Sequence, residues 1–143
     1  KFDRHITKYP LEEMINNLST LSVLSSINTV TLFLDITYLN PENSAELLWD
    51  FPDLPDKICI LSSNSNGETS QIYKDKKHSF FTYNLLKGLA GAADDGNSFI
   101  DLGELTEYIY KSVPASIRDQ SGTNMQNPKF NGMDLKRIVL DLR

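Results

Sequence analysis

The sequence predicts an α/β sandwich with a mostly parallel sheet, and three observations carry that prediction. Two short runs, Thr29-Val-Thr-Leu-Phe-Leu-Asp35 and Lys57-Ile-Cys-Ile-Leu61, have strand length and place apolar residues on both faces, as central parallel strands do. Three segments with helical spacing of apolar residues lie before and after these runs. A third apolar run, Arg137-Ile-Val-Leu-Asp-Leu142, closes the chain, so the order is helix, strand, strand, helix, helix, strand.

The first helix is predicted over 10–21. Leu11, Met14, Ile15, Leu18 and Leu21 recur at helical spacing, Pro10 suits the first helical position, and Glu12 and Glu13 sit near the positive end of the dipole. Ser25 and Ser26 punctuate, and the strand at 29–35 ends on a lone acidic residue. From Tyr38 to Asp56 the chain reads as loop, with Pro41, Pro52 and Pro55 and a short apolar patch at 47–49. After the strand at 57–61, residues 62–77 form a polar loop expected at the surface, where binding residues tend to sit. Ser79 is suited to cap a helix running to about Leu89, and Gly91 ends it. Asp101 and Glu104 make a capping-box-like start for a helix over 102–113, which Pro114 is expected to stop. Residues 115–131 read as irregular, and 137–142 as the final strand of the same sheet.

With 143 residues there is room for one domain of ordinary size, and 40% hydrophobic against 23% charged residues suits a packed core. Fourteen basic against nineteen acidic side chains give a formal charge of −5, which argues against a nucleic-acid or anionic-membrane binder. No apolar run approaches the ~20 residues of a membrane span. The single cysteine, Cys59, excludes an internal disulfide and a four-cysteine zinc site. The chain begins at Lys1 with neither methionine nor a signal-peptide pattern, which reads as a fragment or processed product; a cytoplasmic location is weakly favoured.

Few residues offer chemistry. Asp35 and Thr37 stand at the carboxyl end of a predicted parallel strand, where α/β sheets gather their reactive groups, although on local chemistry alone a strand-end Asp more often caps a turn, with Thr37 the last strand residue. His5 and His78 are the only imidazoles and both read as surface residues. Cys59, between Ile58 and Ile60, reads as an inert buried thiol. Residues 93–104 imitate a calcium loop, with Ile100 and Glu104 in register, but Ala93 stands where the first ligand belongs and Ser98 where glycine is needed. No metal and no cofactor are expected.

Four stretches in order resemble the caspase-like, metacaspase-type family. Thr29-Val-Thr-Leu-Phe-Leu-Asp35-Ile-Thr37-Tyr38 is similar to the strand ending in Asp-x-Cys-(His/Phe/Tyr)-Ser-Gly. Ile58-Cys-Ile-Leu-Ser-Ser-Asn-Ser-Asn-Gly-Glu-Thr-Ser70 is similar to the next strand and its substrate-binding loop. Ser79-Phe-Phe-Thr-Tyr-Asn-Leu-Leu-Lys-Gly-Leu89 resembles the Gly-x-Phe-Thr-x-x-Leu-Leu-x-x-Leu helix. Ile100-Asp-Leu-Gly-Glu-Leu-Thr-Glu-Tyr-Ile109, followed by Asn127-Pro128, resembles the Ile-Thr-x-x-Glu-Leu helix and the later Gln-x-Pro.

The resemblance implies a caspase-like three-layer α/β/α sandwich over 1–143, without the first strands and the His-Gly that precedes the first helix. It places the nucleophile position at Thr37, where the family has cysteine, and Leu39-Asn40 where it has Ser-Gly. It further implies that Asp35 lines the pocket for a basic residue preceding the cut, with Ser63, Asn64 and Asn66 as neutral walls. A threonine hydroxyl inside a chain lacks the acidity of a thiol and the terminal amine that activates known threonine nucleophiles. The implied function is an inactive caspase-like domain acting through a peptide or protein partner, with a separate amino-terminal segment completing the sheet. The competing reading is an active cysteine endopeptidase with basic preference, represented by a mutated or partial chain. A flavodoxin-like module is disfavoured because neither strand is followed by a glycine-rich phosphate loop.

Overall fold

The structure is a computed structural model that describes residues 11–24, 29–36, 54–65, 68–121 and 126–143. It is a mixed α/β fold with small sheets. The two sequence-predicted strands form β1 (Val30–Leu34) and β2 (Ile58–Ser62), paired in parallel with Val30 opposite Ile58 and Leu34 opposite Ser62. Every residue of β2 has 0% exposure. Such a strand needs hydrogen-bond partners along both edges, because a buried unpaired peptide group costs as much as a lost hydrogen bond.

The second edge of β2 is taken by β6 (Lys129–Asn131), antiparallel, in a segment that the sequence suggests is irregular. Three residues flanked by polar and proline positions carry too little apolar alternation to announce a strand; the partner edge makes it one. The expected third member of this sheet, 137–142, belongs elsewhere. Ile138–Asp141 forms β7 and pairs antiparallel with β5 (Phe99–Asp101) in a two-stranded ribbon. Its apolar residues at 138, 140 and 142 are exposed, so the run that suggests a strand of the main sheet belongs to a ribbon with one face to solvent. The pair β1–β2 is parallel and the remaining pairs among the described residues are antiparallel.

Both faces of the sheet carry apolar clusters. On one, Ile58 and Ile60 of β2 and the half-buried Val30, Leu32 and Leu34 of β1 meet Ile15 and Leu18 of α1 (Leu11–Leu24). On the other, Leu61 and Phe33 join Phe81 and Leu85 of α2 (Phe80–Lys87) and Leu105, Ile109, Val113 and Ile117 of α3 (Leu102–Ser121). Full burial of a side chain such as Ile60 or Phe81 contributes about 1.5–3 kcal/mol. The helices close upon each other at Gly88, where a β-carbon would lie 2.9 Å from Leu105 Cδ1. Beside that contact, the buried Asn84 donates from Nδ2 to the Phe80 carbonyl at 2.9 Å and to Ser116 Oγ at 3.2 Å.

Pro114 does not stop α3, which runs on to Ser121. Proline forfeits one helical hydrogen bond, at a cost of about 3 kcal/mol. Val113 and Ile117, both fully buried on either side of it, offset that loss by keeping the extra turns on the core. The start of α3 is the capping box that the sequence predicts: Glu104 N donates to Asp101 Oδ1 and Asp101 N to Glu104 Oε2, both at 2.8 Å. Two further amides of this helix end, Leu102 N and Gly103 N, donate to the carbonyls of Arg137 and Leu135.

Arg137 is almost fully buried and fastens the amino ends of the parallel pair. Its Nη1 donates to the carbonyls of Val30 at 3.0 Å and Lys57 at 3.2 Å, while Nε meets Asp134 Oδ2 at 3.3 Å. At the far end of β7, the Arg143 guanidinium beside Asp141 holds that carboxyl below its usual range and lies 4.2 Å from the Phe99 ring centroid. No described helix is long and apolar enough to cross a membrane.

Gly132 follows β6 with φ of +147°, and a β-carbon there would lie 2.7 Å from Cys59 Sγ and 3.1 Å from Cys59 Cα. We expect Gly132→Ala to cost about 2–4 kcal/mol in urea unfolding, combining steric and backbone strain. Adding Cys59→Ala removes only the sulfur clash, so the double variant should recover part of that loss, about 1 kcal/mol. A neutral Gly132→Ala would contradict this packing.

Candidate functional site

The carboxyl ends of β1 and β2 open onto a group of polar side chains that four separate segments contribute. Asp35 follows β1 directly and is exposed. Its carboxylate is ringed by hydroxyls: Ser70 Oγ donates to Oδ1 at 2.6 Å, and Ser79 Oγ and Thr82 Oγ1 both donate to Oδ2, the latter at 2.5 Å. Ser79 is also the N-cap of α2, where its oxygen accepts from Thr82 N at 2.8 Å. One serine thus ends a helix and ties it to the end of a strand. Asp35 accepts from side chains of distant segments rather than serving as a simple turn cap.

The loop after β2 does not begin at the surface, as the sequence alone suggests. Ser63 and Asn64 both have 0% exposure. Ser63 Oγ donates to Asn64 Oδ1 at 2.6 Å and accepts from the Ile36 amide at 3.3 Å. Asn64 Nδ2 donates to the Glu68 carbonyl at 2.7 Å. These two residues shape the loop from within, because β2 carries the chain into the interior before it can turn out. Ser62 does likewise, its hydroxyl donating to the Lys129 carbonyl at 3.1 Å.

Two residues without a role in the sequence reading complete the arrangement. Gln126, fully buried, donates from Nε2 to the Ser63 carbonyl and accepts at Oε1 from Gln71 N, both at 2.8 Å. Glu68 receives the backbone amides of Ser65 and Asn127 on Oε2, at 3.1 and 2.6 Å, and Asn127 Nδ2 on Oε1 at 2.5 Å. The signal for Gln126 was present in Gln126-Asn127-Pro128, the Gln-x-Pro of the resemblance. Glu68 has no such mark, since an acidic residue in a polar loop is ordinarily solvated.

Thr37, Asn66 and His5 lie outside the described residues, as does the apolar patch at 47–49. His78 is exposed and pairs with Tyr73 across the short hairpin of β3 (Ile72–Tyr73) and β4 (His78–Ser79). That hairpin also falls within the predicted loop; it is pinned by Tyr73, whose ring stacks on Phe80 at 4.5 Å. Cys59 is buried opposite Gly132, in accord with an inert thiol.

Asp94, Asp95 and Glu104 bring carboxylate oxygens within 4.8 Å of one another. The oxygens already serve backbone amides: Asp94 Oδ1 accepts from Gly96, Asn97 and Ser98, and Glu104 Oε1 from Asp95. Ser98 stands with φ of +67° where a calcium loop carries glycine.

Comparison of the chain with family models, with curated proteins and with solved structures yields no match. The chemistry open to the site therefore rests on its own geometry. An exposed carboxylate, oriented by hydroxyl donors at the mouth of a parallel strand pair, is suited to receive a cation.

The Gln126 side chain carries the joint between the two loops. Gln126→Leu leaves the Ser63 carbonyl and the Gln71 amide without their partners, and we expect a loss of about 2–4 kcal/mol. Hydrogen exchange should show the Gln71 amide opening faster than amides of α2. Unchanged protection at Gln71 would show that the side chain does not hold the loop.

Proposed function

We propose that this chain is a caspase-like domain of metacaspase type that binds a peptide or a partner segment and does not cleave it. The observation that carries the reading is Asp35: an exposed carboxylate at the carboxyl end of the parallel β1, held against the first turn of α2. In the resembled family this acidic position lines the pocket for a basic residue, and α2 with its cap Ser79 lies within the stretch 79–89 on which the resemblance is most specific. The finer architecture belongs to the same proposal: a three-layer sandwich whose further strands come from another segment of the protein.

The sequence position two residues after Asp35 is Thr37, and this decides between binding and hydrolysis. A neutral threonine hydroxyl requires a base to take its proton as it attacks a carbonyl. Loss of a nucleophile leaves only residual acceleration, on the order of 10³–10⁴ over water, even where the remaining machinery stays intact. The function supported is accordingly recognition, with Asp35 supplying charge. A charge-assisted hydrogen bond to such a carboxylate contributes roughly 1.5–3 kcal/mol before desolvation.

The purified chain should not hydrolyse arginyl or lysyl reporter peptides, and Thr37→Ala should leave that null result unchanged. Efficient turnover that Thr37→Ala abolishes would establish a working hydroxyl nucleophile instead. In binding titrations, peptides carrying a basic residue should bind ahead of those with Asp or Ala, and Asp35→Asn should weaken them about tenfold. Equal binding of basic, acidic and neutral peptides would remove the basis for this function.

A further inference from the structure

Asp35 accepts an unequal number of hydrogen bonds on its two oxygens, and that inequality bears on which cation it takes. A carboxylate offers about four acceptor positions, two on each oxygen. Ser79 and Thr82 occupy Oδ2 twice, whereas Ser70 occupies Oδ1 once. Among the described residues the carboxylate thus keeps one acceptor position, on Oδ1.

A guanidinium makes its strongest contact with a carboxylate by two parallel N–H···O bonds, one to each oxygen. That arrangement requires an open position on Oδ2, and the first turn of α2 fills both. An ammonium is a compact point charge with three donors and needs no second carboxylate oxygen. Its remaining protons suit hydroxyl oxygens, and Thr82 Oγ1 keeps acceptor lone pairs after donating its proton to Asp35. The two donors on Oδ2 are not easily withdrawn. Ser79 is fixed by capping α2, and Thr82 sits on that helix with its own amide bonded to Ser79 Oγ at 2.8 Å.

We infer that Asp35 is a lysine-selective contact, and that Ser79 and Thr82 are the positioning residues that set this selectivity by closing Oδ2 to an arginine fork. The inference rests on the reading of Asp35 as the cation-binding residue of the proposed function, and it narrows that reading from basic side chains in general to the ammonium group.

The test uses two matched peptide amides that differ only in carrying Lys or Arg at one position, titrated calorimetrically against the full chain. Wild-type protein should bind the lysyl peptide about threefold or more tightly than the arginyl one, as expected for one hydrogen bond of ordinary strength. Thr82→Val removes one donor from Oδ2 while keeping the shape and the Ser79 cap, and should erase or invert that ranking by strengthening arginine. Thr82→Ser should restore the wild-type order. A purely structural role for Thr82 would weaken both peptides alike. Arginine binding as tightly as lysine to the wild type, or a ranking that Thr82→Val leaves unmoved, would overturn the inference while leaving Asp35 a general cation site. Failure of both peptides to bind the folded wild type would overturn the underlying reading of Asp35, and the selectivity with it. Should Thr82→Val fail to fold, the wild-type ranking alone decides.

Discussion

The complete burial of β2 dictates how the other elements are arranged. Five successive residues without exposure cannot stand in the interior unless both strand edges and both faces are served. The edges are met by β1 in parallel and β6 antiparallel, and the faces by α1 on one side and α2 with α3 on the other. Removing any of these would expose or orphan part of a segment that has no polar side to turn outward, save Ser62. At the amino ends of the pair the buried Arg137 donates to the Val30 carbonyl and shares the Lys57 carbonyl with the Val30 amide.

The same constraint produces the polar cluster at the opposite end. Because β2 stays buried through Ser62, the chain must turn out of the core with Ser63 and Asn64 still inside. Buried polar groups are retained only when hydrogen-bonded, so the loop pairs internally and with Gln126. Glu68 then ties the loop to Asn127 by accepting two backbone amides and a side-chain amide. This end of the fold is laced with hydrogen bonds for a physical reason unconnected with catalysis: it is where a hydrophobic strand has to be reconciled with water.

Asp35 brings a charge of this cluster out to solvent while hydroxyl donors hold it. Its hydroxyl shell is drawn from the loop after β2 and from the start of α2, so the carboxylate reports on the relative placement of three segments. That arrangement costs little, since hydroxyl donors to an ionised oxygen are stronger than neutral pairs. A recognition role of the kind proposed above would need no nucleophile, in keeping with threonine at the position two residues on.

Elements whose signals are local could be read from the residue order alone. The two apolar runs, the helical spacing of Ile15 and Leu18, the Ser79 cap and the Asp101–Glu104 capping box each depend on residues within a few positions of one another, and the structure carries all of them. Tertiary structure decided what depends on distant partners. Pro114 reads as a stop because a proline costs a helical bond, yet Val113 and Ile117 reach a core that only the folded chain supplies. The run at 137–142 looks like another sheet strand, but its partner is Phe99–Asp101, and nothing within six residues says which edge they will meet. Asp35 shows the same division within the site. Its location at a strand end was legible, whereas the hydroxyls that orient it come from 35, 44 and 47 residues away, because hydrogen-bond partners across a fold are chosen by space and leave no period in the chain.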